Sequence, residues 1–519
     1  MKSEMRKTKE TQNGITLISL IVTIIVLLIL AGISIATLNG DSGIIKKSKE
    51  AKEQTEISEE KEVVDRATVQ AMGNNKKGDL IKNELQEQLD KIVSGGKIEV
   101  SNNGEEFEIL FRESNRCYTV DKKGNILEQQ TIAKTEYAGD ITKNGQYDGS
   151  AEKPYQISCI EDLVAFSIMT NGGNNELGLT SRNFKDEYVI LERTLNFNSI
   201  ISYNDYNTLK YGDLNKDGVI ENIKTELTKT GDNCVGFEPI NNFEGNFDGK
   251  QNEIQNIYIN RDEKAAFMIV SNYGILVKSI KNLGITGEIT SKNSFAAGIF
   301  VCLSGGDKSA DIIENCWNKA NVKSVSGVTT AGICTGSHMV IKNCYNEGNI
   351  VNEASKPGQA GGIIAGCGGD EIVNCYNTGN ITALNGIWWL GGIASGHGNL
   401  KTTIKNSYNR GKIIGGKLAS AGIIGCYGKD IENCYNIGDI IQGQSVGGIV
   451  GNTSDKIYNC YNAGTINGST GVATDGITEL SKTEIINNKS FVETLNNNRG
   501  TNTEWKKWVI GEDGYPTFE

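Results

Sequence analysis

Apolar positions along the chain change their spacing five times, and each change predicts a different element. From Ile15 to Leu38 no residue is charged; as a helix this stretch is roughly 36 Å long, enough to cross a bilayer. From about Asp41 to Gln70 the chain turns charged, with Glu53, Glu56, Glu59, Glu60 and Lys61, which predicts a solvated helix continuing the apolar one. Leu80 to Val93 has the spacing of a short amphipathic helix. Phe107–Phe111 and Cys117–Val120 alternate about a turn, as hairpin strands do. Leu163–Met169 reads as a short helix covering an open sheet edge. The rest of the chain, to about Asn467, is short Ile-rich pieces punctuated by Gly and Asn, which are strands and turns.

Those pieces repeat. An Ile two residues before an Asn, then a small residue, an aromatic and a second Asn, recurs from about Ile280 to Asn467. Full copies begin at Asn315, Asn343, Asn374, Asn406, Asn433 and Asn459, with a degenerate first copy at Asn282. Before each full copy stands a small-Gly-Ile phrase, such as Gly361-Gly362-Ile363, and a third strand follows a turn glycine, as in Gly379-Asn380-Ile381. A period of about 30 residues with three strands predicts coils that cannot bury their apolar faces alone and must stack into a parallel β-helix. Coils about 4.8 Å apart place like residues in ladders. An Asn at a fixed corner tolerates the left-handed backbone, and its amide can bond to the copies above and below.

Composition and charge narrow the function. With 62 Gly and only 4 Pro the chain suits stacked turns. The net charge of −11 and the lack of a basic stripe exclude nucleic acid as a partner. Of 12 cysteines, Cys316, Cys344, Cys375, Cys434 and Cys460 share one repeat position, and Cys302, Cys334, Cys367 and Cys426 follow the small-Gly-Ile phrase. One thiol per coil is expected as a reduced, buried ladder; Ser407 at the equivalent place shows that pairing there is not required.

Two resemblances follow from these residues. The small-Gly-Ile phrase followed by Ile-x-Asn-Cys-Tyr-Asn-x-Gly resembles the GLUG-motif repeats of bacterial cell-surface proteins. The flanks Asn144–Gly149 with Lys153–Leu163, Phe243–Gly249, and the closing Gly514-Tyr515-Pro516 resemble the usual surroundings of such arrays. This implies a right-handed β-helix outside the cell with an adhesive or binding role toward an extracellular glycan or protein. At the amino terminus, Asn13-Gly14 before Ile15-Thr16-Leu17-Ile18-Ser19 resembles a type IV prepilin. That implies cleavage after Gly14 by a prepilin peptidase, methylation of Ile15, and association with other pilin-like subunits. Ser19 stands where pilins carry Glu, which implies a minor or pilin-like subunit; an uncleaved single-span anchor is the alternative.

The expected layout is a leader (1–14), a transmembrane and continuing helix (15–75), a small α+β region (76–130), the entry of the β-helix (131–250), the repeats (251–470) and a cap (471–519). The cap closes the far end through Phe491, Leu495, Trp505 and Trp508. The chain is expected to cross the cell membrane once through residues 15–38, with its bulk outside.

Candidate chemistry is sparse. Asp213, Asn215, Asp217 and Glu221, with the Val219 carbonyl and Gly218 at the sixth place, match the first part of a calcium loop, but Lys224 stands where the closing acid belongs; an Asx turn is the plainer reading. No other cofactor is expected. Trp388-Trp389 could stack on sugar rings or pack in the core of an enlarged coil. Gly40-Asp41-Ser42-Gly43 echoes a serine-protease phrase by chance, with only His338 and His397 available as a base. The repeats gather no carboxylates on one face, so a non-catalytic protein is expected, with a surface polysaccharide lyase or hydrolase on the same scaffold as the alternative.

Overall fold

The computed structural model describes residues 44–75, 78–93, 98–103, 105–131, 139–204, 211–270, 276–302, 310–366, 368–383, 389–396, 400–467 and 475–519. The apolar segment 15–38 and the Gly14–Ile15 processing site lie outside these residues. Among the described residues no helix is long and apolar enough to cross a membrane. The chain forms two compact units, residues 1–100 with 104–130, and 101–103 with 131–519.

In the first unit, helix α1 (Ile44–Asn74) and helix α2 (Lys82–Ile92) accompany a four-stranded sheet in the order β1 (Ile98–Asn103), β2 (Glu106–Phe111), β3 (Arg116–Asp121), β4 (Ile126–Thr131). The α1 helix is not solvated all round: Val64, Ala67 and Ala71 are buried in one core with Leu85, Leu89, Phe107, Ile109 and Tyr118. Sequence periodicity missed this because the apolar stripe is narrow and built of Ala and Val among many charges. A partly buried ion cluster fixes the contact. Arg116 donates to Glu60 at 2.7 Å and to Glu56 at 3.0 Å, and the Tyr118 hydroxyl donates to Glu60 at 2.8 Å.

The second unit is a parallel β-solenoid of about nine turns. Helix α3 (Ile160–Thr170) is buried almost throughout and sits beside the first rungs. Each full turn carries four or five short strands, not three; where there are four, a single bridge at Ala394, Ile424 or Val450 takes the place of the second. In one turn these are Gln359–Gly361, Ile364–Ala365, Glu371–Val373, Tyr376–Asn377 and Ile381–Ala383. The difference has a local cause. The leading Asn of each repeat sits at positive φ (Asn343 at 56°, Asn374 at 55°, Asn433 at 51°), which turns the chain inside the phrase and splits it into two strands. The small-Gly-Ile phrase is also interrupted, as between Gly361 and Ile364, but without a positive φ at its glycines.

Neighbouring turns pair in strict register: Ile372 with Ile341 and Ile404, Tyr376 with Tyr345 and Tyr408, and Ile381 with Ile350 and Ile413. The inward Ile residues of all three phrases are fully buried except in the last copy, where Ile457 and Ile466 are partly exposed. The repeat cysteines Cys316, Cys344, Cys375, Cys434 and Cys460 are buried and free, and each thiol donates to the carbonyl two residues before it.

Two asparagine ladders run through the stack with opposite polarity. In the first, leading Asn residues donate toward the amino-terminal side: Asn433 to Asn406, Asn406 to Asn374, Asn374 to Asn343, at 2.8 to 2.9 Å. Its first amide, Asn282, donates to the Asp248 carboxylate at 2.8 Å. In the second, Asn318, Asn346, Asn377, Asn409 and Asn436 each donate to the next Asn toward the carboxy terminus at 2.7 to 2.9 Å. Asn462 ends that ladder on Glu479 at 2.7 Å. A carboxylate thus terminates each ladder at its accepting end, where a charged acceptor strengthens the last bond.

The second ladder explains the glycine in the other phrase. A Cβ on Gly362 would stand 2.5 Å from the Asn377 amide carbon and 2.0 Å from the Gly392 carbonyl oxygen. Gly332 over Asn346 and Gly392 over Asn409 repeat the arrangement. Only glycine leaves room for a buried amide opposite it.

Outside the coil, the phrase's aromatics stack. Tyr345 on Tyr376, Tyr376 on Tyr408, and Tyr408 on Tyr435 lie 4.7 to 5.0 Å apart and within 5° of parallel. Here the carboxy-terminal segment departs from expectation. Strand Ile477–Glu479 does extend the last rung, pairing with Cys460–Asn462. The helix Lys489–Arg499 and the hairpin Trp508–Ile510/Pro516–Phe518 instead lie along the side of the solenoid, against Tyr376, Tyr408, Tyr435 and Tyr461. The stacked phenol edges form an apolar strip that water would otherwise wet, and Phe491, Trp508 and Phe518 cover it.

Candidate functional site

The sequence-derived candidates do not converge on one site. Trp389 belongs to an outward row, in register with Gln359 on one side and Ala419 on the other. Its neighbour Leu390 points inward and is fully buried, while Trp389 stays partly exposed. The indole meets the Tyr427 ring edge-on, with centroids 6.3 Å apart. Ala419, which is buried, and Ser445 continue the row with small side chains. Trp389 is half-buried on the opposite side of the strand from Leu390; Trp388 lies outside the described residues.

The 213–221 loop gathers its predicted residues and directs most of their oxygens to its own backbone. Asp213 accepts from Asp217 N–H at 3.2 Å and Gly218 N–H at 2.9 Å; Asn215 accepts from Asp217 N–H, and Asp217 from Val219 N–H, at 2.9 Å. The buried Glu226, from the short helix Ile223–Thr228, accepts from the amides of Asn215 and Glu221. The Lys229 ammonium contacts Asp217 and lies 3.3 Å from Glu221, holding the Asp217 carboxyl below its usual range. Among the described residues no three His, Cys, Asp or Glu side chains are grouped as metal ligands would be. Sequence matching could not foresee the role of Lys229, because it lies outside the loop motif.

A polar corner that the sequence did not mark lies where the loops 336–339 and 366–370 stack. Asp370 is 3% exposed. Its carboxyl accepts from Met339 N–H at 2.8 Å and Gly368 N–H at 2.6 Å, which clasps adjacent turns. Burial pushes its pKa up to about 7, against the pull of those two amides. His338, at φ 58°, lies over Gly369, and its buried Nδ1 has no partner. His397 lies outside the described residues.

The sign of the pH effect follows from Asp370. Its folded pKa is above the unfolded carboxyl value, so the contribution is fully present below about pH 4 and is lost as pH rises toward 7. Urea unfolding at pH 4.5 and pH 7.5 is expected to show a loss of stability with rising pH that the Asp370→Asn variant lacks.

Comparison with known proteins locates the repeat. A family model described as the GLUG motif matches residues 442–467. No curated protein matches the chain. Among solved structures, one from Bacteroides ovatus, named as a putative immunoglobulin A1 protease, is similar at 19% identity and a TM-score of 0.39. The match covers 72% of this chain and 94% of that one.

Proposed function

We propose that this GLUG-motif β-solenoid protein is a non-catalytic cell-surface protein whose outer face binds an extracellular glycan. The observation that carries the reading is Trp389, a partly exposed indole held beside Tyr427 on a sheet whose register is fixed by buried ladders. A partly exposed aromatic held on a paired sheet suits the apolar face of a sugar ring. Glycan-array binding by the full chain is expected to fall at least tenfold in Trp389→Ala, with unfolding midpoints unchanged. Equal binding by the variant would remove Trp389 from the account, and sugar release from the polymer would favour a polysaccharide-degrading enzyme.

The same reading places residues 15–38 in the cell membrane and the solenoid outside, with Gly14–Ile15 as a prepilin-type processing site. Mass analysis of the native amino terminus decides this: a methylated Ile15 start supports a pilin-like subunit, and an intact Met1 start a plain anchor. Calcium at Asp213, Asn215, Asp217, Val219 and Glu221 would have to displace the Lys229 ammonium. Calorimetric titration with Ca²⁺ is therefore expected to show tighter binding in Lys229→Met than in the parent chain, and no heat in either would rule the ion out.

A further inference from the structure

The outer strip made by the leading asparagines and the repeat aromatics is longer than the segment that covers it. Asn374, Asn406 and Asn433 are buried beneath residues 495–508, to whose carbonyls their amides donate. Asn282, Asn315 and Asn343, in the three turns before them, are partly exposed. The rings show the same step. Tyr376 and Tyr408 meet Phe518, whereas among the described residues Tyr345 meets only its neighbours in the stack, Trp317 and Tyr376.

The covering segment shows how the strip binds a chain. Lys506 donates its N–H to the Asn374 side-chain oxygen at 2.9 Å, and its carbonyl accepts from the Asn406 amide at 3.1 Å. One residue thus bridges two neighbouring amides through its backbone alone. Two residues on, the Trp508 ring lies against Tyr408 and Tyr435. Asn315 and Asn343 repeat the pair two turns earlier, and there the two groups that Lys506 uses are open. Asn343 accepts from Asn374, but among the described residues its Nδ2 donates to nothing. Asn315 donates to Asn282 at 3.0 Å, but among the described residues its Oδ1 accepts from nothing. The ladder is interrupted at this step and presents a donor and an acceptor one rung apart, about 4.8 Å. The backbone carries both pairs in one geometry, with φ of 53° at Asn315 and 56° at Asn343 against 55° at Asn374 and 48° at Asn406. The Tyr345 ring faces are taken up by the stack, 9° from parallel with Trp317 and 1° with Tyr376. Only ring edges are open, which suits a packed side chain better than a stacked sugar.

We propose that the open turns of this strip dock an extended segment of a partner protein, which binds there as the chain's own carboxy-terminal segment binds two turns further on. A residue in the place of Lys506 gives its N–H to Asn315 Oδ1 and takes the Asn343 Nδ2–H on its carbonyl. An aromatic two residues on, in the place of Trp508, packs against the edge of Tyr345. Main-chain hydrogen bonds of this kind supply affinity, and the side-chain contact supplies selectivity. The bridging residue is not proline, which has no N–H to give. The assignment adds a peptide partner to the glycan-binding reading and does not depend on Trp389.

The probe is a fluorescein-labelled peptide with the sequence of residues 503–510, titrated with the full chain in detergent and read by fluorescence anisotropy. Saturable binding is expected, weakened about fivefold by Asn343→Asp in the full chain, the worth of one hydrogen bond. That substitution keeps an oxygen for Asn374 and removes the open donor, so the circular dichroism spectrum is expected to be unchanged. A peptide with proline in place of Lys506 is expected not to bind, and Asn349→Ala in the full chain to leave binding unchanged. Absence of binding at submillimolar concentration, or equal binding of the proline peptide, would overturn the proposal. So would an Asn343→Asp variant that binds as the parent does, which is the result if the probe only displaces the chain's own segment. Sedimentation showing a dimer of the full chain that Asn343→Asp dissociates would overturn it too, because the occupant would then be a second copy.

Discussion

Replacing Asn377 with alanine is expected to destabilise the solenoid by about 4 kcal/mol, with loss of cooperativity across the middle turns. The side chain is fully buried and takes part in three interactions: it accepts from Asn346, and donates to Asn409 and to the Gly379 carbonyl at 2.8 Å. Alanine satisfies none of them. The Asn409 carbonyl oxygen loses a donor, Asn346 loses its acceptor, and no water enters a site sealed by Gly362. Each buried polar group left without a partner costs roughly 1–3 kcal/mol. An exposed control separates this from a general effect: Asn349, whose side chain accepts from the Asn380 amide at 3.3 Å on the outer surface, is expected to change stability by less than about 0.5 kcal/mol as alanine. Equal effects of the two substitutions in chemical denaturation would remove the ladder from its place in the stability of the fold.

Trp508→Ala is the second large effect, also about 4 kcal/mol, and it reports on the covered side of the solenoid. The indole is 1% exposed and packs against Tyr408, Tyr435 and Phe518, with ring centroids 4.5 to 5.8 Å away. Its Nε1–H donates to Asn406 at 2.7 Å, so it also satisfies a member of the first ladder. The backbone around it does the same: Lys506 N–H donates to Asn374, whose amide donates to the Glu504 carbonyl. Removing the ring opens a cavity and leaves the Asn406 oxygen with Asn433 as its one remaining donor. Limited proteolysis is then expected to cut within 482–519 before the repeats, whereas an end cap acting only on the last turn would fray the stack from Cys460 backward.

The ladders also show what could be read from residues alone. The leading Asn announced its left-handed corner because that conformation is a property of one residue and its neighbours, and each copy from Asn282 to Asn459 adopts it. The stacking of like residues followed from the period. The second Asn was visible in every full copy, yet its buried ladder was not, because nothing in the local phrase says which face of the strand turns inward. The glycine facing it was equally visible as part of a separate phrase. Their dependence on each other arises across the coil interior, between residues about half a turn apart in the chain.

The candidate sites were less legible for the same reason. Two adjacent tryptophans do not reveal which faces outward until Leu390 takes the inward position. The calcium-like spacing of Asp213, Asn215 and Asp217 says nothing of Lys229, which reaches the loop from beyond a helix.

Distances between nitroxides carried on unnatural amino acids at Lys281, Glu314 and Glu432 test the register most directly. These positions share one outward row, Lys281 beside Glu314 and Glu432 further along through Lys342, Val373 and Lys405. Pulsed dipolar spectroscopy should give about 24 Å between Lys281 and Glu432 and about 19 Å between Glu314 and Glu432, a step of one 4.8 Å rung. Two distances that do not differ by one rung, or that exceed 35 Å, would contradict the stacked solenoid on which every site described above is built.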